Sequence, residues 1–236
     1  MASSTTKSAF WLGARHGLPF LFVVSPFGLL FGVVGTEAGL NIAEVMGFSV
    51  LVIAGASQFA ALQLMTENAP TVIILATALA VNLRMAMYSA SLTPHLGGAP
   101  LWQRALMAYF LVDQSYAVGI ARFETHPGMP LAQKTAYFFG TITLVCPFWY
   151  TMTLIGALAG QQIPPEYALD FAVPITFLAL IAPALRTLAH VAAAAVSVAV
   201  SLALAFVPYN GGLIVAALAA MMAGAQVELW MRGRQA

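Results

Sequence analysis

Between residues 187 and 227 the chain runs 41 residues without Asp, Glu, Lys or Arg, and shorter uncharged runs cover 17–36, 45–66 and 68–83. A helix rises about 1.5 Å per residue and needs about 20 mainly apolar residues to cross a bilayer, so these runs dictate the solvent. Charged residues make up 7% of the chain and hydrophobic ones 61%, against roughly 25% charged in soluble domains. The reading is an all-α integral membrane protein, a polytopic helical bundle. Barrel strands would instead alternate apolar and polar positions over about 10 residues.

Counting runs gives about eight crossings: 17–36, 45–66, 68–92 past Arg84, 106–120 around Asp113, 136–159, 171–185, and a hairpin of two within 187–227. The turn-forming Pro208-Tyr209-Asn210-Gly211-Gly212 splits that hairpin. Eight crossings with the N-terminus inside leave Lys7, Arg15, Arg122, Lys134, Arg186, Arg232 and Arg234 cytoplasmic, with Arg84 and Arg104 at the outer end. That bias follows the positive-inside rule. Seven crossings with one re-entrant segment is the alternative. Residues 1–16 read as a cytoplasmic tail, 17–230 as one transmembrane domain and 231–236 as a short C-terminal tail. A weak internal repeat is suggested by Pro26 followed by Glu44 and Pro147 followed by Glu166, a kind of duplication found in transporters.

Polar residues inside these runs are the candidates for function, because lipid offers them no partner. The first helix carries Ser25, Pro26, Gly28 and Gly32. It is expected to break or kink near Pro26, either to line a cavity with freed backbone groups or to pack closely through the GxxxG pattern. In the second, Gly55-Ala56-Ser57-Gln58 is followed by Gln63. Five residues turn a regular helix by roughly 140°, so Gln58 and Gln63 need two environments or a deformed helix, which Gly55 would permit. A substrate-facing amide and an interhelical hydrogen bond are the two readings.

The third helix shows two polar faces, Asn82 with Ser89 and Arg84 with Tyr88 and Ser91. Arg84 could bind a carboxylate bidentately or snorkel to outer headgroups. Asp113 is the clearest intramembrane carboxylate, with Tyr109, Tyr116 and Ile120 on its helical face. It is a candidate proton carrier, a partner for Arg84 or a binder of an ammonium. Asp170 reads as a helix cap and His190 as a packed or interfacial residue. The lone Cys146 excludes an internal disulfide. Zinc, phosphate-loop and nucleophile-elbow motifs are absent, so neither an enzyme nor a cofactor is indicated, and the near-neutral charge offers no surface for nucleic acid.

Four blocks, Pro26-Phe27-Gly28-Leu29-Leu30-Phe31-Gly32, Gly55-Ala56-Ser57-Gln58-Phe59-Ala60-Ala61-Leu62-Gln63, Asn82-Leu83-Arg84 and Leu169-Asp170-Phe171-Ala172-Val173-Pro174, together resemble the AzlC family. The resemblance implies the large subunit of a branched-chain amino acid exporter in the bacterial inner membrane. It also implies a small AzlD-type membrane subunit as partner and export drawing on the proton gradient. Met85 stands where many relatives carry His, and Asp113-Gln114 where many carry an acidic pair. The substrate-binding residues expected on this basis are Pro26, Gly28, Ser57, Gln58, Gln63, Asn82 and Arg84, with Asp113 in proton coupling. A passive channel or facilitator and a membrane scaffold or assembly subunit are the competing readings.

Overall fold

A computed structural model describes residues 5–162, 185, 187–208 and 211–233. The expected sixth helix at 171–185, Glu166, the Asp170 cap, Arg186, Tyr209, Asn210 and Arg234 lie outside the described residues, as does the side chain of Arg232. The chain divides into two compact units, 1–169 and 170–236.

The first unit is built on two helical columns. One comprises α1 (Thr6–Gly17), a 3-10 turn (Leu18–Phe20) and α2 (Leu21–Glu37). The other is α8 (Leu131–Gly160). A Cβ added at Gly13 would collide with the Tyr137 carbonyl, at Gly140 with that of Phe10, at Gly32 with that of Thr153 and at Gly156 with that of Leu29. Contact numbers rise together along both columns, so they run parallel, and glycine lets their backbones touch. This seam claims Gly28 and Gly32 for packing. Contrary to the expected break near Pro26, α2 continues through that proline, and the interruption falls earlier at the turn beginning with Leu18-Pro19. A proline inside a membrane helix frees the carbonyl four residues earlier, here that of Phe22, and is tolerated where protein groups or water can meet it.

From the far end of α2 the chain re-enters as α3 (Ile42–Leu51), whose start is fixed by a capping box between Asn41 and Glu44. Residues 52–54 leave helical geometry, with Val52 at φ −130° and Ala54 at φ −152° and the Ala54 amide turned back onto the Val52 carbonyl. Then α4 (Gly55–Thr66) begins. The next contacts give its direction. Phe59 meets both Phe27 and Phe31, Phe31 also meets Phe48, and the Gln58 amide reaches back to Ser49. Thus α4 returns toward the side α3 came from. At 10 and 12 residues the two helices are about 15 and 18 Å long, half a bilayer each.

Next, α5 (Thr71–Leu96) crosses completely, at 26 residues or about 39 Å. Its last turn joins Ala9, Phe123 and Phe138 in one apolar cluster, beside the start of α8. From that same side α6 (Leu101–Tyr109) enters, breaks at 110–112, and α7 (Asp113–Thr125) goes back. Pairing of Arg84 with Asp113, Tyr88 with Tyr116 and His95 with Phe123 shows α5 and α7 running in the same direction. Residues Gln103 and Leu106 share a cavity wall with Thr6, Leu131 and Thr135, which confirms the side on which α6 begins.

The expected crossings at 45–66 and 106–120 are therefore re-entrant hairpins, one from each face, and only three crossings precede Gln161. The periodic apolar runs were long enough to span, but each turns at its midpoint. One consequence corrects the sidedness of Arg104, which joins Lys7, Arg15, Arg122 and Lys134 at one face, while Glu37, Glu44 and Glu67 lie at the other. The basic face is cytoplasmic by the positive-inside rule.

The second unit contains α9 (Leu188–Ala203) and α10 (Gly211–Gly233). Gly212 lies against the Leu204 carbonyl and Gly224 against Ala193, so the two form the expected antiparallel hairpin. The Thr187 side chain caps α9 by accepting from the His190 amide, while the His190 ring side is exposed. Four described helical stretches are long and apolar enough to cross a membrane: Thr6–Glu37, Thr71–Leu96, Leu131–Gly160 and Gly211–Met231.

Two outcomes test this arrangement. In a Cys146→Ala background, cysteines at Gly98 and Gly128 should react with an impermeant thiol reagent from the cytoplasmic side and one at Glu67 from the other. Gly98 labelled opposite to Gly128 would restore full crossings. In thermal melts of solubilised protein, Gly156→Val should lose about 1–3 kcal/mol or fail to accumulate. Gly47→Ala, with nothing within 4 Å of the added carbon, should be neutral.

Candidate functional site

The two hairpin tips meet inside the first unit. The Tyr109 hydroxyl at the end of α6 donates to the Val50 carbonyl near the end of α3 at 2.6 Å, and lies 3.2 Å from the Tyr150 hydroxyl of α8. Breaking a helix inside lipid orphans backbone groups, and these contacts satisfy them. The Val112 amide is met by Ser115 Oγ at 3.0 Å, and the Ala54 amide by the Val52 carbonyl at 2.7 Å.

Gly55 opens α4 rather than sitting in the break, and its missing side chain has a steric purpose. A Cβ there would stand 3.1 Å from the Trp149 indole. The unwound residues are the ones before it, Val52 and Ile53, whose β-branched side chains lower helix propensity. Gln58 is fully buried, donating to Ser49 Oγ at 3.1 Å, with Thr153 Oγ1 3.5 Å beyond. Gln63 instead faces out and donates to Glu67 at 2.9 Å. The two amides thus have the two environments that their angular separation requires, and the helix break precedes both. Ser57, also buried, donates to the Ala78 carbonyl of α5 at 3.0 Å.

Arg84 does not lie at the outer end. It occupies the middle of α5, roughly 20 Å from the start of that helix, beyond the reach of snorkelling. Its Nη2 pairs with Asp113 Oδ2 at 3.3 Å, and the two side chains remain 32% and 44% exposed. Asp113 opens α7, where a carboxylate also meets the positive end of the helix dipole. The expectation that Tyr109 shares its face fails because the helix breaks between them. The nearby phenol is Tyr88, which interacts with Asp113 from α5 and stacks on Tyr116 at 4.0 Å, while Tyr116 bonds Ser91 at 3.1 Å.

Along α5, Arg84, Tyr88 and Ser91 meet α7, Ser89 shares a cavity wall with Met107 of α6, and the Ala78 carbonyl meets α4. Asn82 lies one turn along from Ala78. Ser57 and Asp113, near the N-termini of α4 and α7, contact α5 six residues apart, about 9 Å along its axis. Two positive helix ends are thus presented at mid-depth, an arrangement suited to anionic groups. Several buried polar atoms here have no protein partner: Gln58 Oε1, Asn82 Oδ1, Arg84 Nε, Asp113 Oδ1 and Trp149 Nε1. Of the residues expected to bind substrate, Ser57, Gln58, Asn82 and Arg84 lie around the hairpin tips, together with Asp113, expected in proton coupling. Pro26 and Gly28 belong to α2, with Gly28 against the Trp149 backbone, and Gln63 is directed away. Sequence reasoning missed Ser49, Trp149, Tyr150 and Thr153 as parts of this site, and gave Tyr109 a place beside Asp113 instead of its bond to Val50. The signal was present in the hydroxyls and aromatics spaced along otherwise apolar runs.

A double-mutant cycle checks the pair. Arg84→Ala and Asp113→Ala should each destabilise, while the double variant recovers part of the loss, with a coupling of about 0.5–3 kcal/mol in chemical or thermal denaturation. Additive losses would show that the two charges act separately.

The family described as AzlC protein matches residues 19–163. An uncharacterized membrane protein of Archaeoglobus fulgidus is 31% identical over 92% of this chain and 94% of its own length. Inner membrane protein YgaZ of Escherichia coli K12 is 24% identical over 74% of this chain and 73% of its own. No solved structure matches. The match to the family over more than half of the sequence, together with the long apolar helices, makes the chain a multi-pass membrane protein that belongs to the AzlC family, a transporter family associated with branched-chain amino acid export.

Proposed function

We propose that the protein is a secondary exporter of branched-chain or similar apolar amino acids across the bacterial inner membrane, working with a small AzlD-type membrane subunit. The observation that carries this reading is the half-exposed Arg84–Asp113 pair at the hairpin tips. A zwitterion presents the complementary pair of charges. Its carboxylate replaces Asp113 at the Arg84 fork, assisted by the N-terminal ends of α4 and α7, and its ammonium takes the unpartnered Asp113 Oδ1. Exchanging partners keeps both protein charges compensated throughout, which avoids the cost of an isolated ion in a low-dielectric site.

The buried Gln58 supplies a neutral amide whose bonds are individually modest, about 1 kcal/mol. Modest bonds suit a site that must also release. Proton coupling follows if Asp113 takes a proton during the cycle, since neutralising it frees Arg84 for the substrate carboxylate. On the opposite side of α5, Val72, Leu75, Leu79, Leu83 and Met87 form an exposed apolar stripe that suits lipid or the small subunit.

Cells expressing the chain with its neighbouring small subunit should export leucine released from a preloaded dipeptide, and more slowly export polar amino acids. Arg84→Ala should lower the leucine rate about tenfold or more, because a hydrogen bond to a charged group contributes about 1.5–3 kcal/mol. Counterflow in proteoliposomes should steepen with an imposed pH gradient. Equal efflux across a panel of amino acids, or efflux unaffected by the gradient, would sink the exporter reading in favour of a passive facilitator.

A further inference from the structure

A cavity whose wall is mainly apolar but carries a few polar groups opens at the cytoplasmic face, away from the hairpin tips. It has a volume of about 700 Å³ and lies between α1, the end of α7 and the turn into α8, with Ser8, Leu12, Arg122, His126, Gly128 and Gln133 in its wall. That is within the range of small-molecule sites, roughly 300–1,000 Å³. No carboxylate lines it. Arg122 Nε is buried without a partner, so the side-on edge of the guanidinium, the edge that takes an oxyanion bidentately, is unused. No described carboxylate pairs with Arg122. Glu124 sits two positions away on α7, about 200° around the helix.

The neighbourhood adds positive charge instead of cancelling it. Lys134, only 8% exposed, holds its ammonium 5.8 Å over the ring of Phe123, the residue after Arg122. Tyr137 lies within electrostatic reach of Arg122 and bonds His16 Nδ1 at 2.6 Å. Arg122 in the wall, with Lys134 next to the wall residue Gln133, favours anions there.

We propose that this cavity is a cytoplasmic vestibule that binds an oxyanion head group, carboxylate or phosphate, through Arg122 and His126. Under the export reading, on which this identification of the ligand rests, the oxyanion is the carboxylate of an amino acid captured before it reaches Arg84. A phosphate of an inner-leaflet lipid has the same chemistry and the same receptor.

Occupancy can be read without transport. Gly128 is exposed in the cavity wall, and an added Cβ meets nothing within 4 Å. In the full chain carrying Cys146→Ala and Gly128→Cys, the rate of maleimide labelling from the cytoplasmic side reports the vestibule. In phosphatidylcholine vesicles, leucine and N-acetylleucine should slow labelling several-fold, leucinamide should not, and Arg122→Gln should abolish the protection. If only vesicles containing phosphatidylglycerol give Arg122-dependent protection, the oxyanion site stands with lipid as its source. Absence of protection by both carboxylate and phosphate, or protection that survives Arg122→Gln, overturns the proposal. Protection without leucine efflux would separate failure of the export reading from failure of the site.

Discussion

Backbone that leaves helical geometry at mid-membrane must find partners for its N–H and C=O groups in protein or in a water-lined cavity, because lipid supplies none. The rest of this structure answers that constraint at two places, residues 52–54 and 110–112. Tyr109 links them by donating to the Val50 carbonyl, and Ser115 takes the amide of Val112. Of the buried side-chain atoms without a partner among the described residues, Gln58 Oε1, Asn82 Oδ1, Arg84 Nε and Asp113 Oδ1 lie at or beside these interruptions, whereas Arg122 Nε and Thr135 Oγ1 lie elsewhere. The breaks create the site by exposing helix ends, and the side chains that stabilise the breaks also define its walls.

Such openings need a frame that does not deform. The parallel columns of α1–α2 and α8 provide it through glycines on both partners, Gly13 and Gly32 on one, Gly140 and Gly156 on the other. Van der Waals contact dominates association where water is absent, so close backbone approach replaces the hydrophobic drive of soluble cores. Thr153 shows the frame and site joined. Its hydroxyl ends the buried chain from Gln58 through Ser49, while its carbonyl receives Gly32.

Much of this was legible in sequence, and the failures have a common physical origin. Solvent, helical class and the double environment of Gln58 and Gln63 follow from residue chemistry alone. The cluster of Ser57, Gln58, Asn82, Arg84 and Asp113 was also visible as a set of polar groups within apolar runs. Direction was not. A re-entrant hairpin of two half-length helices presents the same length of apolar sequence as one crossing, and nothing in the segment 45–66 states that Gly55 starts a return. In 106–120 the sole local cue was Asp113 followed by Ser115, a helix start hidden inside a helical period. Counting 106–120 as continuous placed Tyr109 on the face of Asp113, and counting 45–66 as a crossing put Arg104 on the wrong side.

The central ion pair bears most directly on whether this interior is built for stability or for exchange. A buried pair contributes little to stability once desolvation is included, and apolar residues of similar volume often serve as well or better. Arg84 and Asp113 are held by one 3.3 Å contact, with Arg84 Nε and Asp113 Oδ1 lacking protein partners and both side chains partly exposed. A structural role would favour saturation of these atoms. Their unused bonding capacity, beside two helix N-termini and between two hairpins entering from opposite faces, is what a site requires if its charges are to change partners without ever standing alone.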